Sequence, residues 1–92
     1  MALLSEAEIE EGLRGLHGWE RKGSEIVRVY RNKNFVESVG FVNKVAILAE
    51  KADHHPDILI QYKNVTLTLS THSKGGLTDK DFKLAGEIDA LS

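Results

Sequence analysis

At 92 residues, 41% hydrophobic and 28% charged, residues 1–92 have the make-up of one small globular domain with a single core. A net charge of −2 gives no electrostatic case for nucleic acid or an anionic membrane as a main partner, and the absence of cysteine excludes disulfides and cysteine-ligated zinc. Met1-Ala2-Leu3-Leu4 runs straight into Ser5-Glu6, too short an apolar stretch for a signal peptide or a membrane span, so the cytoplasm is the expected compartment.

The first element announces itself by its cap. Ser5-Glu6-Ala7-Glu8 is a capping box, with Leu4 and Ile9 placed as a hydrophobic staple. A short helix should follow, with Ile9, Leu13 and Leu16 on one face, and stop near Gly15 or Gly18. Trp19 to Lys22 and Glu25 to Arg31 read as two strands around a Gly23-Ser24 turn. Trp19 has two readings, a core or rim anchor and a wall that stacks on a flat ligand.

Asn34, with Glu37 three residues on, marks a second helix start. Phe35, Val39, Val42, Ala46 and Ala49 recur at helical spacing, and Val36, Phe41, Val45, Ile47 and Leu48 widen the stripe. So broad a surface predicts a central helix covered by the sheet and by a second subunit. The helix should stop near Asp53, because Pro56 disfavours helical backbone at His55. Ile58 to Tyr62 and Val65 to Thr71 predict a second hairpin around Lys63-Asn64, with Asn64 tolerating a left-handed backbone. Val65, Leu67 and Leu69 alternate with Thr66, Thr68, Ser70 and His72, so His72 should leave the strand on its polar face. Lys74-Gly75-Gly76 is a loop, and Thr78-Asp79-Lys80-Asp81 opens a last helix carrying Phe82, Leu84, Ala85, Ile88 and Leu91.

The order α-β-β-α-β-β-α predicts an α+β two-layer sandwich, a four-stranded antiparallel sheet with helices on one face. Its open edges need protection, which strand pairing between subunits would supply.

The chemistry gathers in two segments, Glu50 to Pro56 and Thr71 to Asp81, which hold His54, His55 and His72; His17 lies outside both and reads as a surface residue. Imidazoles exchange protons near neutrality, so the pairing of these segments suggests a proton-transfer site. Adjacent histidines also occur in plain exposed loops. A metal site would draw on His54, His55, His72 and Asp81, but neighbouring histidines in an extended segment point apart. Asp81 is also the fourth residue of a capping box, a role compatible with orienting a histidine. Glu50 is either a solvated charge or a carboxylate one turn behind His54. No nucleophile constellation and no phosphate-cradling glycine loop is visible.

The combined pattern Glu50-x-x-x-His54-His55-Pro56, Tyr62, Thr71-His72-x-x-Gly75-Gly76-Leu77-Thr78-x-x-Asp81 resembles the signature of the pterin-4a-carbinolamine dehydratases. The likeness runs from Ser5 through Gly18-Trp19-Glu20, Phe41-Val42-x-x-Val45-Ala46 and Ala49-Glu50-Lys51 to Ile88. It implies a small α+β domain and a cytoplasmic lyase that removes water from a 4a-hydroxytetrahydropterin, in tetrahydrobiopterin recycling, with no metal and no cofactor. By the resemblance His54, His55 and His72 are the catalytic histidines, Asp81 the associated acid and Glu50 a lesser supporting one. His54 and His72 form the expected proton-transfer pair, and His55 binds and polarises the substrate. Asp53-His54-His55 and Ser70-Thr71-His72-Ser73 are the expected pterin contacts, with Trp19 lining the ring. Asp57 to Gln61 lacks the aromatic residues that some members carry there. A homodimer or homotetramer is implied, without direct nucleic-acid or membrane contact. The resemblance also brings a second class of function, a non-catalytic dimerisation cofactor or assembly factor that binds a protein partner.

Overall fold

The computed structural model describes residues 2–91. Helix α1 (Glu6–Arg14) is followed by β1 (Glu20–Lys22), β2 (Glu25–Arg31), α2 (Phe35–Ala52), β3 (Asp57–Gln61), β4 (Asn64–Leu69), a 3₁₀ turn (His72–Lys74) and α3 (Asp79–Asp89). This is the predicted α+β order, and the strands form one antiparallel sheet ordered β1-β2-β4-β3.

The caps set the helix boundaries. Ser5 Oγ accepts the Glu8 amide at 3.2 Å while Glu8 Oε1 accepts the Ser5 amide at 2.8 Å, closing the expected box. Asn34 Oδ1 caps α2 by accepting the Glu37 amide at 2.9 Å. Thr78 and Asp81 form a third box at the start of α3.

Each hairpin turns in two residues. Gly23 takes φ +62 between the closing pair Lys22↔Glu25, as glycine does at the first central position of such a turn. In the second hairpin the turn lies one residue earlier than predicted. Gln61 pairs with Asn64, so Tyr62 and Lys63 make the turn, and Tyr62 rather than Asn64 is left-handed, at φ 54. Two long-range bonds fix it there: Ser38 Oγ donates to the Tyr62 carbonyl at 2.8 Å and the Asn32 amide to the Lys63 carbonyl at 2.7 Å. Pairing of β2 with β4 joins the two hairpins, from Ile26↔Leu69 to Arg31↔Asn64.

Val65, Leu67 and Leu69 face inward with Ile26 and Tyr30 and meet Phe41, Val45, Leu84 and Ile88 from the helices. Of the broad predicted stripe α2 buries only part, Phe41, Val45 and Ala49, with Ser38 in the same buried line. Phe35, Val36 (77% exposed), Val39 and Ile47 (68%) lie open. A helix apolar nearly all round does not choose its own inner face by periodicity. Its rotation is the one that puts Ser38 on the hairpin turn and Phe41, Val45 and Ala49 in the core. Among the described residues no helix is long and apolar enough to cross a membrane.

Candidate active site

The site begins where α2 ends. The Asp53 amide donates to the Glu50 carbonyl at 3.2 Å and the His54 amide to the Ala49 carbonyl at 3.1 Å, the paired bonds of a Schellman turn. The left-handed residue of that turn is usually glycine, yet here it is Asp53, at φ 50 and ψ 45. The turn sends His54 inward, where it is buried, and Pro56 carries the chain on into β3.

His54 Nε2 lies 2.5 Å from Asp81 Oδ1, and Asp81 is 0% exposed. The other oxygen, Oδ2, accepts the Thr78 amide at 2.9 Å and the Thr71 hydroxyl at 2.8 Å. Counting donors assigns the protons. Thr71 gives its single hydroxyl proton to Asp81, so in its 2.8 Å contact with Thr78 Oγ1 it accepts. With Oδ2 occupied by two donors, Oδ1 accepts from His54 Nε2–H, which leaves the lone pair of a neutral imidazole on Nδ1. The capping role of Asp81 and its hold on a histidine are thus one arrangement, with one oxygen for each.

His55 turns the other way. Its Nε2 lies 2.6 Å from Glu50 Oε1, and its side chain is 56% exposed. Of its two readings Glu50, 78% exposed, fits the solvated charge and not the carboxylate behind His54. The Schellman turn directs His54 to α3 and leaves His55 on the α2 side, so Glu50 meets His55 instead. Among the described residues no three histidine, aspartate or glutamate side chains form a metal-ligand set.

His72 comes from the other segment. Strand β4 stops at Leu69, short of the predicted Thr71, and Thr71 makes an isolated bridge with Gly76. The 3₁₀ turn between them closes with the Lys74 amide on the Thr71 carbonyl at 2.9 Å, and Gly75 supplies the left-handed exit at φ +71. His72 is exposed on this turn.

A cavity of about 380 Å³ joins the two segments, lined by Asp53, His54, His55, Ser70, Thr71, His72, Ser73 and Lys80. Every expected pterin contact except Trp19 lines it. Trp19 is only 6% exposed, stands edge-on to Tyr30 with ring centroids 6.3 Å apart, and donates Nε1–H to Asp89 at 2.9 Å. It is a core anchor, and the reading as a ligand wall is corrected. Glu50 reaches the cavity only through His55. Two contributors had no assigned role in the sequence reading. Thr78 completes the Asp81 network, and its place as the helix cap was the available signal. Lys80 lies beside Asp81, but the alternation Asp79-Lys80-Asp81 looks like a solvated first turn.

Similarity to known proteins points the same way. A sequence model described as "Pterin 4 alpha carbinolamine dehydratase" matches residues 2–91. A Roseiflexus castenholzii protein provisionally named pterin-4-alpha-carbinolamine dehydratase is 54% identical over 90 residues, 98% of this chain and 97% of its own. A Thermomicrobium roseum protein with the same provisional name is 50% identical over 92 residues, 100% and 99% of the two chains. A crystal structure described as a transcriptional coactivator/pterin dehydratase from Brucella melitensis superposes with a TM-score of 0.93 at 40% identity, covering 97% of each chain.

Proposed function

The chain belongs to the pterin 4 alpha carbinolamine dehydratase family, and from that premise we propose that it dehydrates a 4a-hydroxytetrahydropterin to the quinonoid dihydropterin, as one catalytic domain in the recycling of a tetrahydropterin. The C4a–O bond breaks and the hydroxyl takes a proton as it leaves as water. N5 loses its proton as the C4a=N5 bond forms. One proton is given and one is taken, so a general acid and a general base working near neutrality complete the reaction.

The observation that carries this reading is the 2.5 Å contact between His54 Nε2 and Asp81 Oδ1 on the wall of a cavity shared with His55 and His72. A buried carboxylate that holds one nitrogen fixes the ring and leaves the other nitrogen for the substrate. His54 and His72 exchange the two protons, and His55, steadied by Glu50, binds and polarises the ring. Backbone and hydroxyl groups of Asp53, Ser70, Thr71 and Ser73 hydrogen-bond the amide-like edge of the pterin.

The open apolar side of α2, with Val36, Val39 and Ile47, and the outer edge of β3 support self-association into a homodimer or homotetramer. The same helix face would serve a purely partner-binding role, which leaves the Asp81–His54 pair without a task. Stopped-flow dehydration of a chemically made carbinolamine tests the enzyme reading. The wild type should accelerate water loss, and His54→Gln and His72→Gln should each slow it with the fold intact. A wild type no faster than the uncatalysed reaction would sink the enzyme reading, and near-normal turnover by both variants would sink the assignment of acid and base.

A further inference from the structure

Beside the histidine cavity, between the last turns of α2 and the first turns of α3, lies a groove of about 210 Å³. Its floor is apolar, built from Leu48, Ala52 and Leu84, and its rim is Lys51, Lys80, Lys83 and Glu87. The two spaces are neighbours. Ala52 is followed directly by Asp53 and His54, and Lys80 lines both. Lys80 Nζ reaches the Asp53 carbonyl at 3.5 Å, which holds the ammonium at their junction.

Three lysines against one glutamate leave the rim with a surplus of two positive charges on a chain whose net charge is −2. Among the described residues none of these lysines pairs with a carboxylate, the ion pairs being at Arg14, Arg21, Arg28, His54 and His55. Lys83 and Glu87, four residues apart on one helix face, do not pair either, lysine before glutamate being the weaker order of such a pair. An apolar floor beneath unpaired ammonium groups suits a short carbon chain that ends in anionic oxygens.

In a pterin the C6 substituent is borne by the ring carbon bonded to N5, the atom that gives up its proton. A ring seated against the histidines must therefore send this substituent into a space adjoining them. Resting on the dehydratase reading, we infer that the α2–α3 groove seats the C6 substituent and selects pterins whose substituent carries a phosphate or a carboxylate.

The test compares carbinolamines that share one ring and differ at C6, with a neutral hydroxylated, a carboxylate-bearing or a phosphate-bearing chain. On the wild type at low salt, kcat/KM should favour an anionic chain about ten-fold, mainly through KM, with the favoured arm identifying the anion. The preference should shrink as salt screens the rim, with a Debye length near 8 Å at about 0.15 M. In the Lys51→Gln/Lys83→Gln variant, both positions being exposed, the ratio should fall towards one. Equal kcat/KM for all three substrates, or a preference that survives the double variant, overturns the inference while leaving the dehydratase reading in place. Turnover of none of the three overturns both.

Discussion

At its N-terminal end α3 offers Asp81 to an imidazole; at its C-terminal end it offers Asp89 to an indole, a phenol, a guanidinium and a backbone amide. Asp81 belongs to a first turn, where the helix dipole favours an anion, whereas Asp89 stands at the end where the dipole opposes one. Asp89 is offset by its partners: Arg28 Nη1 at 2.6 Å, Tyr30 Oη at 2.5 Å and Trp19 Nε1 at 2.9 Å on Oδ1, and the His17 amide at 3.0 Å on Oδ2. Burial pushes its carboxyl up, but the bonds from Tyr30, His17 and Trp19 and the charge of Arg28 together hold it below the usual range. These partners come from the α1–β1 connection and from β2, so Asp89 ties the start of the fold to its last helix. Asp81 differs in one respect that matters for function. One of its partners, His54, borders a cavity. A carboxylate whose partners are all fixed locks a fold, and one that holds a ring at a cavity wall prepares that ring for a proton.

The sharpest way to break this comparison is to remove charge from each end in turn. Asp81→Asn and His54→Gln should each lower kcat for carbinolamine dehydration by about 10²–10⁴-fold, the usual worth of a positioned acid or base. Asp89→Asn should leave kcat within about three-fold, a change worth less than 1 kcal/mol in the barrier. If Asp89→Asn slowed turnover as much as Asp81→Asn, the division between locking and chemistry would be wrong.

Next in size is the cost of the lock itself. Asp89→Ala leaves the Trp19 and Tyr30 donors and the Arg28 charge partly buried without their acceptor, and should cost about 3 kcal/mol in urea denaturation. A loss below about 1 kcal/mol would show that water replaces the carboxylate without penalty.

Half of this comparison could be read from the sequence. Asp81 stood out because Thr78-x-x-Asp81 is a local capping pattern followed by an apolar run. Asp89 had no such mark, since its partners at His17, Trp19, Arg28 and Tyr30 lie 59 to 72 residues away in the chain. The same contrast runs through the fold. Caps, turns and the inward alternation of β4 are short-range features, and the sequence located them within a residue or two. The rotation of α2 and the left-handed Tyr62 depend on contacts between distant segments, and the pairing of Glu50 with His55, five residues on, depends on a Schellman turn closed by Asp53 instead of glycine. Local periodicity carries no information about those.

The pH dependence of stability separates the two members of the lock. Asp89 has a folded pKa below its ordinary 3.8, so the stability it contributes is complete above that value and is lost as pH falls through the lower folded one. Tyr30 is shifted upward from 10.0, first by burial and then by its bond to Asp89. The folded state thus keeps a proton that the unfolded chain releases, and stability should fall as pH rises above 10.0. Thermal denaturation across pH should show both arms. Tyr30→Phe should flatten the alkaline one at a cost of about 1 kcal/mol near neutrality. An alkaline arm that survives this change would assign it to another group.

The smallest effect concerns the residue that aims His54. Asp53 occupies a left-handed position at about 1 kcal/mol, a cost that glycine avoids. Glycine brings a loss of chain entropy of about 0.5–1 kcal/mol, so Asp53→Gly should change stability by no more than about 0.5 kcal/mol. Asp53→Ala has no such relief and should cost about 1 kcal/mol. The two variants remove the same carboxylate from the cavity wall and differ in backbone freedom. If the side chain serves the substrate, KM should rise equally in both, whatever their stabilities. If only the turn matters, Asp53→Gly should keep the wild-type KM while Asp53→Ala raises it, because a strained turn no longer delivers His54 to Asp81. Either result assigns the aspartate to one link, backbone or chemistry, and equal wild-type KM values in both variants would remove it from the site altogether.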